Sequence, residues 1–117
     1  MPAPSQLAIA TSALNRLVKE EASYHKELES QQARITKLEQ GNDDDENAEF
    51  TLRQERKALE ETKVMFPQLR QKIEDAKSKL EAQLEQDKGP GDQSSPEDIT
   101  KAKEAIAAAL HAIREAS

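Results

Sequence analysis

The sequence predicts an all-α protein: an elongated antiparallel three-helix bundle with spectrin-like or coiled-coil packing, its third helix shorter than the other two. Three observations predict it. Ala, Glu, Lys, Leu and Arg fill 61 of the 117 positions, a share associated with long helices and coiled coils. Large apolar residues are scarce, yet they recur at seven-residue spacing, a register that a disordered chain of the same composition has no reason to keep. Glycine stands only at Gly41 and in Gly89-Pro90-Gly91, and these breaks leave three periodic segments. A chain of this length is expected to form one domain, 1–117, with no room for a large enzyme core around a cleft.

The first helix is expected over about 5–40. Leu7, Leu14, Leu28 and Ile35 share one heptad series that Glu21 interrupts, and Leu17, Tyr24 and Leu38 share the offset series with Ala10 and Gln31. The second is expected over about 46–87, where Leu52, Leu59, Phe66, Ile73 and Leu80 hold their series without a miss. Pro67 lies inside it and cannot donate to the Lys63 carbonyl. Because the heptad stays in phase across Pro67, a kink is expected there rather than an end. The third helix is expected over about 96–116, with Ile99, Ile106 and Ile113 flanked by Ala102, Ala109, Leu110 and Ala116. Asp43 with Glu46, and Ser95-Pro96-Glu97-Asp98, have the pattern of N-terminal caps, and Gly41 and Gly89 that of C-terminal stops. Glu49–Arg53, Asp75–Lys79 and Glu97–Lys101 have the favourable i,i+4 order.

At 1.5 Å per residue the helices are roughly 50, 60 and 30 Å long. A tight turn near 41–45 makes helices one and two a hairpin, with Leu7 near Leu80, Leu14 near Ile73, Leu28 near Leu59 and Ile35 near Leu52. The third helix reaches only to about the level of Phe66, so the distal half of the hairpin is two-stranded. That half has a polar core level, Gln31 near Glu55, and Glu21 faces the Phe66 level. Such residues commonly fix register or oligomeric state; alternatively, the half is under-packed because a partner completes it. Phe50 and Val64 fall on the outward position of helix two.

Charge and motifs exclude more than they identify. A net charge of −6 argues against nucleic acid or an anionic membrane as the main partner. Without cysteine, disulfides, thiol catalysis and thiolate metal sites are excluded. No apolar run is long enough to span a membrane, and MPAPSQLAIA lacks the basic start of a signal peptide. Asp43-x-Asp45-x-Asn47 superficially resembles a calcium loop, but Ala48 stands where glycine is needed and Gln54 where glutamate is needed. No phosphate-cradling loop or nucleophile elbow occurs. His25 and His111 have no ligand neighbour at helical spacing. A non-enzymatic protein without cofactor or metal is expected. Ser94 and Ser95 precede Pro96 in a linker where modification is conceivable, though capping explains them equally well.

Two strings narrow the reading: Leu17-Val-Lys-Glu-Glu-Ala-Ser-Tyr24-His-Lys-Glu-Leu-Glu29, and Asp45-Glu-Asn-Ala-Glu-Phe50 followed by Leu52-Arg-Gln-Glu-Arg-Lys-Ala-Leu-Glu-Glu-Thr-Lys63 and Met65-Phe-Pro67. In these the sequence resembles the tubulin-binding cofactor A family. A Tyr in the Lys-Glu-rich first helix combined with a Pro midway along the second is much less generic than the charged strings alone. Position 50 is Phe where relatives often have Tyr, and the third helix is unusually rich in Ala. The resemblance implies a rod-like three-helix bundle acting as a cytoplasmic, cytoskeleton-associated chaperone. It implies capture of β-tubulin after chaperonin release and its retention for other tubulin-folding cofactors during αβ-heterodimer assembly, without ATP or metal.

On this reading the β-tubulin contact is expected on Tyr24, Glu27, Phe50, Arg53, Arg56, Lys57, Glu60, Lys63 and Val64; the Pro67 kink is expected to wrap helix two around its neighbours or, alternatively, to shape a binding surface at the junction. The competing expectation is a structural coiled-coil module that self-associates through the distal half. A regulatory bundle of membrane traffic is a weaker alternative. Monomer and homodimer both satisfy an a/d stripe of this kind.

Overall fold

The computed structural model describes residues 5–41, 46–86 and 94–115. Helix α1 runs Gln6–Glu39, α2 Ala48–Lys63, α3 Met65–Gln86 and α4 Pro96–Glu115. Helices α2 and α3 are the two halves of the predicted second helix. They are separated by one residue, Val64, whose φ of −72° and ψ of −12° stay in the right-handed helical region. The interruption falls beside the Lys63 carbonyl, the group that Pro67 cannot satisfy. The bundle measures 69 × 29 × 17 Å, and no strand occurs among the described residues.

The helix ends follow from their capping chemistry. The Ser5 hydroxyl accepts from the Ala8 amide at 3.0 Å and donates to Asp98 at 3.3 Å, so one side chain caps α1 and ties it to the start of α4. Ser95 accepts from the Asp98 amide at 3.1 Å, with Pro96 in the first helical position. Gly41, at φ +67°, ends α1 in a conformation that costs other residues more, and its amide reaches the Leu38 carbonyl at 3.1 Å. Helix α2 begins two residues later than its sequence pattern predicts, after Asn47. The expected Asp43 cap, the Gly89 stop and Ala116 lie outside the described residues. Of the three anticipated i,i+4 pairs, Glu97–Lys101 closes at 3.3 Å, whereas Asp75 accepts from Gln71 at 3.0 Å.

The core is concentrated where three helices meet. Leu7 and Leu14 of α1, Ile73 and Leu80 of α3, and Ala102, Ala105, Ala109 and Ala112 of α4 form one buried cluster. The four leucine and isoleucine residues in it have 0% exposure. Periodicity put the isoleucines of α4 at the centre of its stripe. In the structure the alanines lie there, while Ile99, Ile106 and Ile113 pack along its edges and Leu110 is exposed. Small residues let α4 approach α1 and α3 closely, and bulkier neighbours then fill the flanks.

Helix α4 packs on α1 and α3, while α2 packs mainly on α1 and makes no contact with α4. The Ser5–Asp98 contact sets α1 and α4 parallel with a fixed register, which brings Arg114 to about the level of Glu21 and Ala22. Beyond that level the rod is a two-helix hairpin of α1 and α2.

Candidate functional site

The change from three helices to two is marked by an aromatic and charged cluster. Phe66, one residue before Pro67, is buried. Its ring meets His25 at a centroid distance of 4.6 Å and Tyr24 edge-on at 6.4 Å. His25 Nε2 pairs with the carboxylate of Glu21 one turn earlier, and Glu21 is only 3% exposed. The i,i+4 spacing of Glu21 and His25 was visible in the sequence, so His25 does have a neighbour at helical spacing. Burial of Glu21 gives that spacing its meaning, because a buried carboxylate needs a partner. His111 is exposed.

Past this cluster the same heptad series change character. Leu28 and Leu38 of α1 and Leu52 and Leu59 of α2 are half-buried, and Ile35 alone among these apolar residues is buried. The predicted Gln31–Glu55 level is resolved differently: Gln31 donates to Glu27 at 3.4 Å and Arg34 to Glu55 at 3.0 Å. Gln31 is 5% exposed, and its side-chain oxygen has no hydrogen-bond partner among the described residues. An unsatisfied buried acceptor costs about 1–3 kcal/mol. Gln31→Leu is therefore expected to stabilise the fold by about 1 kcal/mol, read as a higher urea midpoint with an unchanged slope.

The residues singled out from the sequence do not share one face. Phe50, Lys57 and Val64 recur at sevens on the outer side of α2, and Phe50 and Val64 are 56% and 57% exposed. Arg56 pairs with Glu39 of α1 at 3.1 Å. Glu39 is four heptads from Thr11, which lines the groove between α1 and α4. Arg56, and Lys63 one heptad later, therefore lie on the flank that α4 occupies further down the rod. Lys63 pairs with Glu60 at 3.6 Å, while Arg53 forms no ion pair within 4.0 Å among the described residues. Tyr24 and Glu27 lie one and two heptads from Leu17 and Ala13, which line the opposite groove between α1 and α3. Tyr24 and Glu27 border a shallow depression of about 340 Å³ with Lys19, Glu20 and Ser23. Pro67 is exposed. Successive multiples of seven separate these flanks, and that arithmetic was available in the sequence.

Two grooves flank α1 in the three-helix half. One, of about 420 Å³, is floored by small residues including Ala8, Ala105 and Ala108; the other, of about 290 Å³, runs over Ala10, Ala13 and Leu17. Among the described residues no cluster of three or more potential metal ligands occurs, and no helix is long and apolar enough to cross a membrane.

The tubulin binding cofactor A family model matches residues 2–106. Tubulin-specific chaperone A of Saccharomyces cerevisiae is 36% identical over 107 residues, covering 92% of each chain. The mouse protein of that name is 32% identical over 87 residues, covering 74% of this chain and 77% of its own. Tubulin-folding cofactor A of Arabidopsis thaliana is 31% identical over 102 residues, covering 86% of this chain and 85% of its own. No solved structure is significantly similar to the chain. The rod-like helical bundle agrees with the family-model match over residues 2–106 and the yeast match over 92% of the chain: the chain belongs to the tubulin binding cofactor A family.

Proposed function

We propose that this protein is a tubulin-folding chaperone that captures β-tubulin after chaperonin release and holds it, without ATP, for other tubulin-folding cofactors during heterodimer assembly. It works in the cytoplasm in association with the cytoskeleton, as a binding protein and not an enzyme. The observation that carries this reading is the match to the Saccharomyces cerevisiae relative named tubulin-specific chaperone A over 92% of each chain. The shape supports a holding role. A rod 69 Å long offers area instead of a pocket, and a specific interface typically buries on the order of 1,200–2,000 Å². The contact spreads over the two-helix half, with Arg53, Arg56, Lys57 and Lys63 supplying positive charge, Phe50 and Val64 apolar anchors, and Tyr24, Glu27 and Glu60 the margins.

Val64→Asp tests the outer side of α2. The side chain is exposed and its residue interrupts the helix, so circular dichroism should be unchanged while β-tubulin co-elution falls by roughly tenfold, equivalent to about 1.4 kcal/mol. Undiminished co-elution removes Val64 from the contact. Sedimentation equilibrium separates client holding from the alternative of a self-associating coiled-coil module. A client-holding protein shifts to a heavier species when β-tubulin is added, whereas a self-associating module forms a tight oligomer alone and ignores tubulin.

A further inference from the structure

The heptad series that closes the three-helix core continues past the level of Glu115, and no described residue covers it there. Leu28 and Ile35 extend the series of Leu7 and Leu14, and Leu52 and Leu59 that of Ile73 and Leu80. Yet Leu28, Leu52 and Leu59 are half-buried, while all four of their counterparts beneath α4 are fully buried. From the level of Glu21 to Glu39 this uncovered length is 18 residues of α1, roughly 27 Å at 1.5 Å per residue. One rim follows the α1 positions that meet α4 lower down, running from Thr11 through His25 and Gln32 to Glu39. The other is the α2 flank bearing Arg56 and Lys63, with Arg53 one turn before Arg56.

We propose that this length is a third-helix slot, filled by an amphipathic helix of the client that continues the line of α4 and completes the bundle. The proposal rests on the client-holding reading above. Continuity with the α4 interface fixes the chemistry of the occupant. Its inner face carries an apolar stripe at a and d spacing to cover Leu28, Leu52 and Leu59, and the edge beside α2 carries acidic residues for Arg53, Arg56 and Lys63. The existing Arg56–Glu39 and Lys63–Glu60 pairs are solvent-exposed, so they hold little energy and exchange readily for partners on an incoming helix.

The test places a photo-cross-linking benzoylphenylalanine at position 32 in one variant of the full chain and at position 16, on the opposite side of α1 and in the three-helix half, in another; purified β-tubulin is the probe. Both native residues are exposed, so each variant retains the fold. The expected result is a cross-link from position 32 to one helical, acid-edged segment of β-tubulin, with a yield at least about tenfold above that from position 16. Equal yields, a cross-link to a non-helical segment or to a second copy of this chain, or no cross-link from position 32 while the unmodified protein co-elutes with β-tubulin, would overturn the slot and leave the holding role intact. If the unmodified protein does not co-elute with β-tubulin, the client reading fails and the slot proposal falls with it.

Discussion

Leu14→Ala is expected to destabilise the protein by about 3 kcal/mol, whereas Leu28→Ala, the same change two heptads along the same series, is expected to cost only about 1 kcal/mol. The chemistry removed is identical, so the difference measures the surroundings. Leu14 is fully buried against α3 and α4, and truncating it leaves a cavity that three packed helices cannot close. Leu28 is half-buried between two helices; part of its surface already meets water, so less apolar contact is lost and little cavity forms. Urea unfolding monitored by circular dichroism reads both values. Equal losses would mean that the distal half is packed as tightly as the base.

The second large effect concerns the client. Arg56→Glu combined with Lys63→Glu reverses two charges on the flank that continues the α4 side, and β-tubulin co-elution is expected to fall by more than roughly tenfold. The fold should be nearly unaffected. The pairs lost, with Glu39 and Glu60, are solvent-exposed and contribute about 0–1 kcal/mol each. Raising the salt concentration should weaken capture by the unmodified protein and narrow its advantage over the variant, because screening acts on exposed charges within a Debye length. Equal capture by both proteins at low salt would remove this flank from the contact.

Much of this architecture was readable from spacing alone. The Leu7 and Leu80 series mark the helices and their antiparallel pairing, and Ser95-Pro96 and Gly41 mark ends whose caps form in the structure. On α4 the spacing marks a stripe of Ile99, Ile106 and Ile113 flanked by small residues that allow close helix approach; the structure reverses their order, with Ala102, Ala105, Ala109 and Ala112 at the centre and the isoleucines at the edges. The Glu21–His25 pair was missed because its importance depends on burial, which spacing alone does not report. The candidate contact residues come from the faces of the first two helices, with Phe50 and Val64 already on the outward position and the flanks of the others not assigned. The Arg56–Glu39 pair and the groove linings place Tyr24 and Glu27 on one flank and Arg56 and Lys63 on the other, and Phe50 and Val64 are exposed as expected.

Amide hydrogen exchange of the chain, alone and with β-tubulin, tests most directly whether the two-helix half holds the client. Slower exchange is expected across residues 25–39 of α1 and 48–63 of α2, where leucines stand half-covered and the helices are secured on one side only. Residues 7–14 and 98–112 should exchange alike in both samples, because their core is already closed. Protection confined to α4 and the base of α1, with the distal hairpin unchanged, would contradict the account.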